Sequence, residues 1–398
     1  MPSKKVKLKR SISLPILTIF GLGNVLGAGI YVLIGKVAGE AGTAAPLSFM
    51  IAAGIAGLTA LSYMELSHRF PVSAGASAYV HEGLRLKPLA QFVGLLILLS
   101  AIFSSATLAI GFAGYMQCFL NISTPTLVLL LFLALGGITI YGIAESSKAA
   151  AFITILEILG LLMIIWAGRN ILMSAGTYQS IAVTQTPIAA IFSGAFLAFY
   201  AFIGFEDIVN VAEESKAPTT IMPRAIVISL IAATILYILV VIVATHSIPI
   251  GDLAASQTPL ADIFTGITKT PATLISVIGI LSAINGILVH LVLVSRLLYG
   301  MAQRGLIHAH LGAVHRTTRT PILATVLSVV AMAAAALSLP IVSLASLTSY
   351  AVLLLFCLVN LSLIVIKLRP SLKKPQLTIP IIIPVLGLIL SAVMILVG

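Results

Sequence analysis

The sequence predicts an all-α polytopic membrane protein of about eleven transmembrane helices, and three observations carry that prediction. Of the 398 residues, 60% are hydrophobic and 8% charged, which leaves too little polar surface for a soluble domain. Apolar runs of about twenty residues, the length that crosses a bilayer core, recur from end to end. With the spans counted as eleven and the N-terminus inside, every lysine and arginine except Lys36, Arg169 and Lys269 falls on the cytoplasmic side, as the positive-inside rule requires. The net charge of +11 therefore reports orientation and does not mark a nucleic-acid partner. An odd span count puts the C-terminus outside.

In order, residues 1–13 form a basic cytoplasmic leader. No small-residue cleavage site clearly closes the apolar run behind it, so that run reads as a retained first span and not as a signal peptide. Spans are expected near 15–35, 43–66, 88–116, 125–142, 149–167, 187–211, 225–246, 273–301, 321–338, 341–366 and 378–397. Ser338-Leu-Pro340 leaves a very tight external turn between spans nine and ten. Cys118 and Cys357 lie in or near separate apolar runs, so neither a disulfide framework nor a metal cluster is supported. His308, His310 and His315 sit in a basic loop without a cysteine or acidic partner and are not taken as a metal site. Asn121-Ile-Ser123 matches a glycosylation sequon, which is silent in a prokaryotic protein, the source that the short loops favour.

The first span holds five glycines within the fifteen residues Gly21 to Gly35, each costing about 1 kcal/mol in a helix against alanine. At membrane depth a broken helix is tolerated only where it is buried in protein or lines a cavity. A break at Gly27-Ala28-Gly29 would aim bare amides and the positive end of a half-helix at that cavity, which suits a carboxylate. The plainer alternative is that these glycines only let helices approach closely. Span six is disturbed as well: Phe199-Tyr-Ala-Phe-Ile-Gly-Phe-Glu-Asp207 places a glycine and two carboxylates after an aromatic patch. Spans one and six are five apart, the spacing of a 5+5 inverted repeat in which each half opens with a broken helix. The division that follows is repeat one over about 14–167, repeat two over about 187–366, together a ten-helix core, and 367–398 as a basic loop with the eleventh helix.

Four stretches carry a family resemblance: Gly21 to Gly35; Leu61 to Gly83; Phe199 to Pro223 with its Ala-Glu-Glu-Ser-Lys-Ala-Pro run; and Ser295 to Gly305 followed by Thr320-Pro321. They resemble the amino acid/polyamine/organocation (APC) superfamily permeases, particularly the cationic amino acid transporter branch and its prokaryotic relatives. The resemblance implies a multi-pass protein of the plasma membrane, the inner membrane of a prokaryote. It further implies a secondary transporter moving amino acids by alternating access, with the substrate held between spans one, three, six and eight. The carboxylate would be held by amides matching Gly27, Ala28 and Gly29; the ammonium by carbonyls matching Val25 and the stretch Phe199, Tyr200, Ala201 and Phe202, with Gly204 at the break. Tyr200 falls where relatives carry an aromatic gate, though a buried tyrosine also serves packing. Family members usually have twelve spans or more, so the eleventh helix bears on the C-terminal side and on a possible homodimer and leaves the ten-helix core untouched.

Ionisable groups in hydrocarbon cost about 2.5–3.5 kcal/mol at the centre and each needs an account. Glu157 lies nine residues into span five, about 12 Å along the helix and near mid-membrane. Proton-coupled relatives often carry a lysine near this position. The acid here reads as a proton carrier or cation ligand, or else as a protonated packing residue. Glu206 reads as a support for the unwound part of span six or as a second proton site, and Asp207, about 100° round a helix from it, as facing a cytoplasmic vestibule. Ser282 and Asn285, one turn apart in span eight, could give oxygens to a cation or simply join helices. A sodium shell needs more oxygens than they supply, so a proton is the expected partner. No H-E-x-x-H, G-x-S-x-G or nucleotide-binding loop occurs, so neither an enzyme nor an ATP-driven pump is expected, and no cofactor. An amino acid or polyamine exchanger or facilitator, or a transporter-like amino acid sensor, would need the same pocket.

Overall fold

The computed structural model describes residues 12–71, 75–141, 147–182, 185–303, 308–369 and 376–398. Arg304, in the basic loop, and residues 1–11 of the leader lie outside the described residues. Among the described residues, seven helical stretches are long and apolar enough to cross a bilayer, and four shorter apolar helices bring the spans to eleven. Proline places many of the starts. Pro15, Pro46, Pro88, Pro125 and Pro218 sit in the first turn of spans 1, 2, 3, 4 and 7, where a missing amide costs nothing.

Span 1 runs as two half-helices, 1a (Leu14–Leu26) and 1b (Ala28–Ala41). Span 2 is Ala45–Arg69, span 3 Lys87–Gln117, span 4 Thr124–Ile140 and span 5 Ser147–Ala167. Span 6 opens as Ile188–Phe199, and spans 7 to 11 are Pro218–Ser247, Thr273–Gln303, Ile322–Ser338, Ile341–Leu368 and Ile382–Val397. The expected first span stopped at residue 35, yet 1b continues to Ala41: Lys36 is half-buried and bonded to a backbone carbonyl, and Glu40 is exposed.

Spans 1, 2, 6 and 7 pack on one another as one group; spans 3, 4, 8 and 9 form a second. Span 5 leans on spans 1 and 8, while span 10 packs on span 3 and on span 11, which also covers span 2. The connection from span 7 to span 8 is fixed to 1b. Lys36 Nζ donates to the Ala254 carbonyl at 2.5 Å, and Gly35 and Gly39 lie so close to Leu253 and Ala254 that a Cβ on either would collide.

A buried carboxylate closes the opposite end. Glu65 of span 2 is fully buried; its Oε1 accepts from Arg69 Nε at 2.9 Å and Nη2 at 2.6 Å, and its Oε2 from Lys367 Nζ at 2.6 Å and the Ile379 amide at 2.8 Å. Beside it, Asn360 Nδ2 donates to Thr59 Oγ1 at 2.9 Å while its Oδ1 accepts from Ser62 Oγ at 2.6 Å. Paired and hydrogen-bonded in this way, charge is tolerable out of water, and the approach to span 11 is fastened to spans 2 and 10.

Candidate functional site

The two disturbed spans meet between the two packed groups. Span 1 breaks at Gly27 (φ −25°, ψ −179°) and restarts at Ala28. Span 6 leaves α-helix at Phe199, tightens to 3-10 over Tyr200–Phe202 and extends at Ile203. It then turns at Gly204 and resumes as a 3-10 helix over Phe205–Glu214. The φ of Gly204 is 123°, a conformation only glycine holds without strain. The Asn24 carbonyl also fills the place where a Cβ would sit. The expected α-helical relation of Glu206 to Asp207 is thus replaced by the wider angle of a 3-10 turn.

A residue of span 7 joins the breaks. Tyr237 Oη donates to the Val25 carbonyl at 2.6 Å and to the Ala201 carbonyl at 3.1 Å, sharing its hydrogen between the open ends of both spans. No sequence motif marked Tyr237. The available signal was its hydroxyl within Ile235-Leu-Tyr-Ile-Leu, since a buried tyrosine hydroxyl needs a partner. Further out, Tyr31 Oη donates to the backbone carbonyl of Glu157 at 2.9 Å, and Tyr115 Oη to the Tyr31 carbonyl at 2.7 Å, pinning 1b to spans 5 and 3.

The cavity between spans 1, 3, 6 and 8 is lined by Val25, Gly27, Gly29, Tyr200, Gly204, Ser282 and Asn285 of the expected residues, with Asn24, Ser104, Asp207 and His290 added. His290 is an ionisable group inside a span and was itself a signal; its Nδ1 lies 3.1 Å from Ser105 Oγ. The amide of Gly27 is not bare, as expected, but donates to the Gly23 carbonyl at 3.2 Å, so an anion cradle begins one residue later. No side chain caps 1b, and the first amides of a helix lack partners within it.

The two glycines also differ. A Cβ on Gly27 would meet nothing nearer than the Gly23 and Asn24 carbonyl oxygens at 3.6 Å, whereas one on Gly29 would stand 3.2 Å from Ala201 Cα. Tyr200 reaches across to span 3, its Oη 3.0 Å from Ser104 Oγ. The side chains of Phe199 and Phe202 turn into the core, against Phe356 at 5.6 Å and Tyr237 at 5.2 Å between ring centroids; only their backbone can serve the cavity.

Glu157 stands apart, fully buried and absent from the cavity wall. Its carboxyl faces the Ser282 hydroxyl of span 8, without closing a hydrogen bond of ordinary geometry among the described residues. Glu206 supports the break: its Oε2 accepts from the Gly204 amide at 2.9 Å.

A model of one protein family, described as amino acid permease, matches residues 12–398. The branched-chain amino acid permease BcaP of Bacillus subtilis is 28% identical over 94% of this chain and 84% of its own length. The methylthioribose transporter of the same organism is 27% identical over 98% of this chain and 88% of its own length. The mitochondrial cationic amino acid transporter 3 of Arabidopsis thaliana is 28% identical over 91% of this chain, which spans 63% of that relative's length.

Proposed function

The chain belongs to the amino acid permease family, and on that premise we propose that it is a secondary active transporter. In this reading it carries amino acids across the plasma membrane by alternating access and proton symport. The observation that carries the reading is the pair of breaks facing one cavity and joined through Tyr237. The first amides of 1b, from Ala28 and Gly29, take the substrate carboxylate, and Gly27 leaves the space through which it approaches. The ammonium sits at carbonyls of the Val25 and Phe199–Phe202 segments, with Tyr200 closing over it. Spans 1–5 and 6–10 are inverted repeats, the N-terminus is cytoplasmic and the C-terminus outside.

Glu157 is the proton carrier. An ionised carboxylate with only the Ser282 hydroxyl beside it is costly inside the membrane, and binding a proton removes that charge. Sodium is disfavoured because Ser282 and Asn285, which face the cavity, leave a cation short of ligands. The relatives' names span branched-chain amino acids, cationic amino acids and methylthioribose, so the substrate must come from measurement. Purified protein in proteoliposomes, given twenty labelled amino acids and several polyamines under an inward proton gradient, should concentrate at least one. Flux only against internal substrate would make it an exchanger, downhill flux alone a facilitator, and binding without flux a sensor.

A further inference from the structure

A second cavity lies on the basic side of the first, enclosed by spans 2, 3, 6, 8 and 10. Ser104, Ile203, Asp207 and His290 line both, so these four form the partition. Two features of the inner cavity are not used by the site between the breaks. Tyr63, in the cavity wall, is fully buried, its ring held edge-on by Tyr79, Phe205 and Phe356 at 5.9–6.1 Å, and its hydroxyl has no hydrogen-bond partner among the described residues. Such a group forfeits its hydration without compensation unless something enters to pair with it.

Asp207 is the second feature. Its Oδ1 accepts from Asn210 Nδ2 at 3.2 Å, but among the described residues no lysine, arginine or histidine forms an ion pair with it. Glu206, by contrast, is occupied with the Gly204 amide. The inner cavity thus offers the Asp207 carboxylate, the Glu206 carboxylate with one oxygen held by the Gly204 amide, the phenolic oxygen of Tyr63 and the Ser100 hydroxyl. Acceptors around carboxylates suit a primary ammonium, which brings three donors and a positive charge.

We infer that the inner cavity is a second binding site, specific for the ammonium group of an amino acid passing from the site between the breaks toward the basic face. Asp207, reached from both cavities, hands the ammonium across the partition. The inference rests on the transport reading for the direction of travel; the site itself is tested by binding.

The probe is radiolabelled n-butylammonium, which has no carboxylate for the 1b amides, measured by equilibrium dialysis with the full chain in lipid nanodiscs. Wild-type protein should bind one per chain saturably, with sodium butyrate failing to compete. Asp207→Asn and Tyr63→Phe should each weaken binding about tenfold or more, the loss of one hydrogen bond to a charged group. Gly27→Val, which blocks the outer cavity, should leave it unchanged. Each variant is checked by its thermal unfolding midpoint. A second reading places a cysteine at Ser100 with Cys118 and Cys357 as serine; butylammonium should slow its methanethiosulfonate modification in the Asp207 protein and not in Asp207→Asn. No saturable binding, or equal binding by folded Asp207→Asn and Tyr63→Phe, overturns the inner site even if uptake is intact. Binding that persists in a protein with no flux overturns the transport reading and keeps the site.

Discussion

Gly29 lies directly beneath the ring of Tyr200: a Cβ on Gly29 would stand 3.3 Å from Tyr200 Cε1. One glycine therefore seats the aromatic side chain that reaches span 3, while a Cβ on Gly27, two residues before it on the chain, would meet only carbonyl oxygens at 3.6 Å. Gly27→Val should abolish substrate binding with little change in unfolding temperature. Gly29→Leu should lower both, because Tyr200 and the Ala201 backbone must move. Unfolding measured by differential scanning fluorimetry, together with equilibrium binding, separates them; an equal loss of stability in the two variants would contradict the distinction.

Tyr237→Phe keeps the ring that packs on Phe49 and Phe202 and removes the hydroxyl shared by Val25 and Ala201. Two carbonyls then lose a partner, at a cost of about 1–3 kcal/mol for a buried group left unsatisfied. The thermal midpoint should drop and substrate affinity fall with it, since both open ends shift. Unchanged affinity at reduced stability would confine Tyr237 to the fold.

Glu157→Gln imitates a permanently protonated side chain at a place where nothing else changes. Uptake driven by a proton gradient should be lost while exchange of external for internal substrate continues. In wild-type protein, uptake should rise as external pH falls, be indifferent to replacing sodium with potassium and collapse with a proton ionophore. A Glu157→Gln protein that still concentrates substrate would move the role to Glu206.

The spans and the site of each interruption were legible because hydropathy and glycine are local properties. Gly27 and Gly204 announce a broken backbone wherever the chain goes. What joins the interruptions was not legible: Tyr237 lies 36 residues from Ala201 and 212 from Val25 along the chain, and its direction is set by how spans 2, 6 and 7 pack. The amide of Gly27 was misjudged for a related reason, since whether 1a keeps its last hydrogen bond depends on backbone angles that glycine leaves open. Asp207 was placed toward the cytoplasmic vestibule, and its second exposure, to the cavity between the breaks, follows from the 3-10 winding that apolar periodicity cannot distinguish from an α-helix.

Glu65→Ala should be among the most damaging single changes in the protein. Arg69 and Lys367, 9% and 11% exposed, would be left buried without a counter-charge, which costs about 3–5 kcal/mol. Glu65→Met with Lys367→Met removes two of the charges together and should be milder. Thermal unfolding of the single and double variants in detergent gives the comparison, and a double variant no better than the single would show that Arg69 alone governs the effect.

The fastening of Ala254 to Lys36, with Gly35 and Gly39 pressed on the same helix, makes the helix Ile250–Ala255 a handle on 1b at the end of the bundle opposite Glu65. Any displacement of 1b has to carry it along, so a rearrangement at the break is broadcast to that end. A conformation-selective nanobody against Ile250–Ala255 would therefore act as a remote clamp, arresting the half-helix without entering the cavity or competing with what binds there.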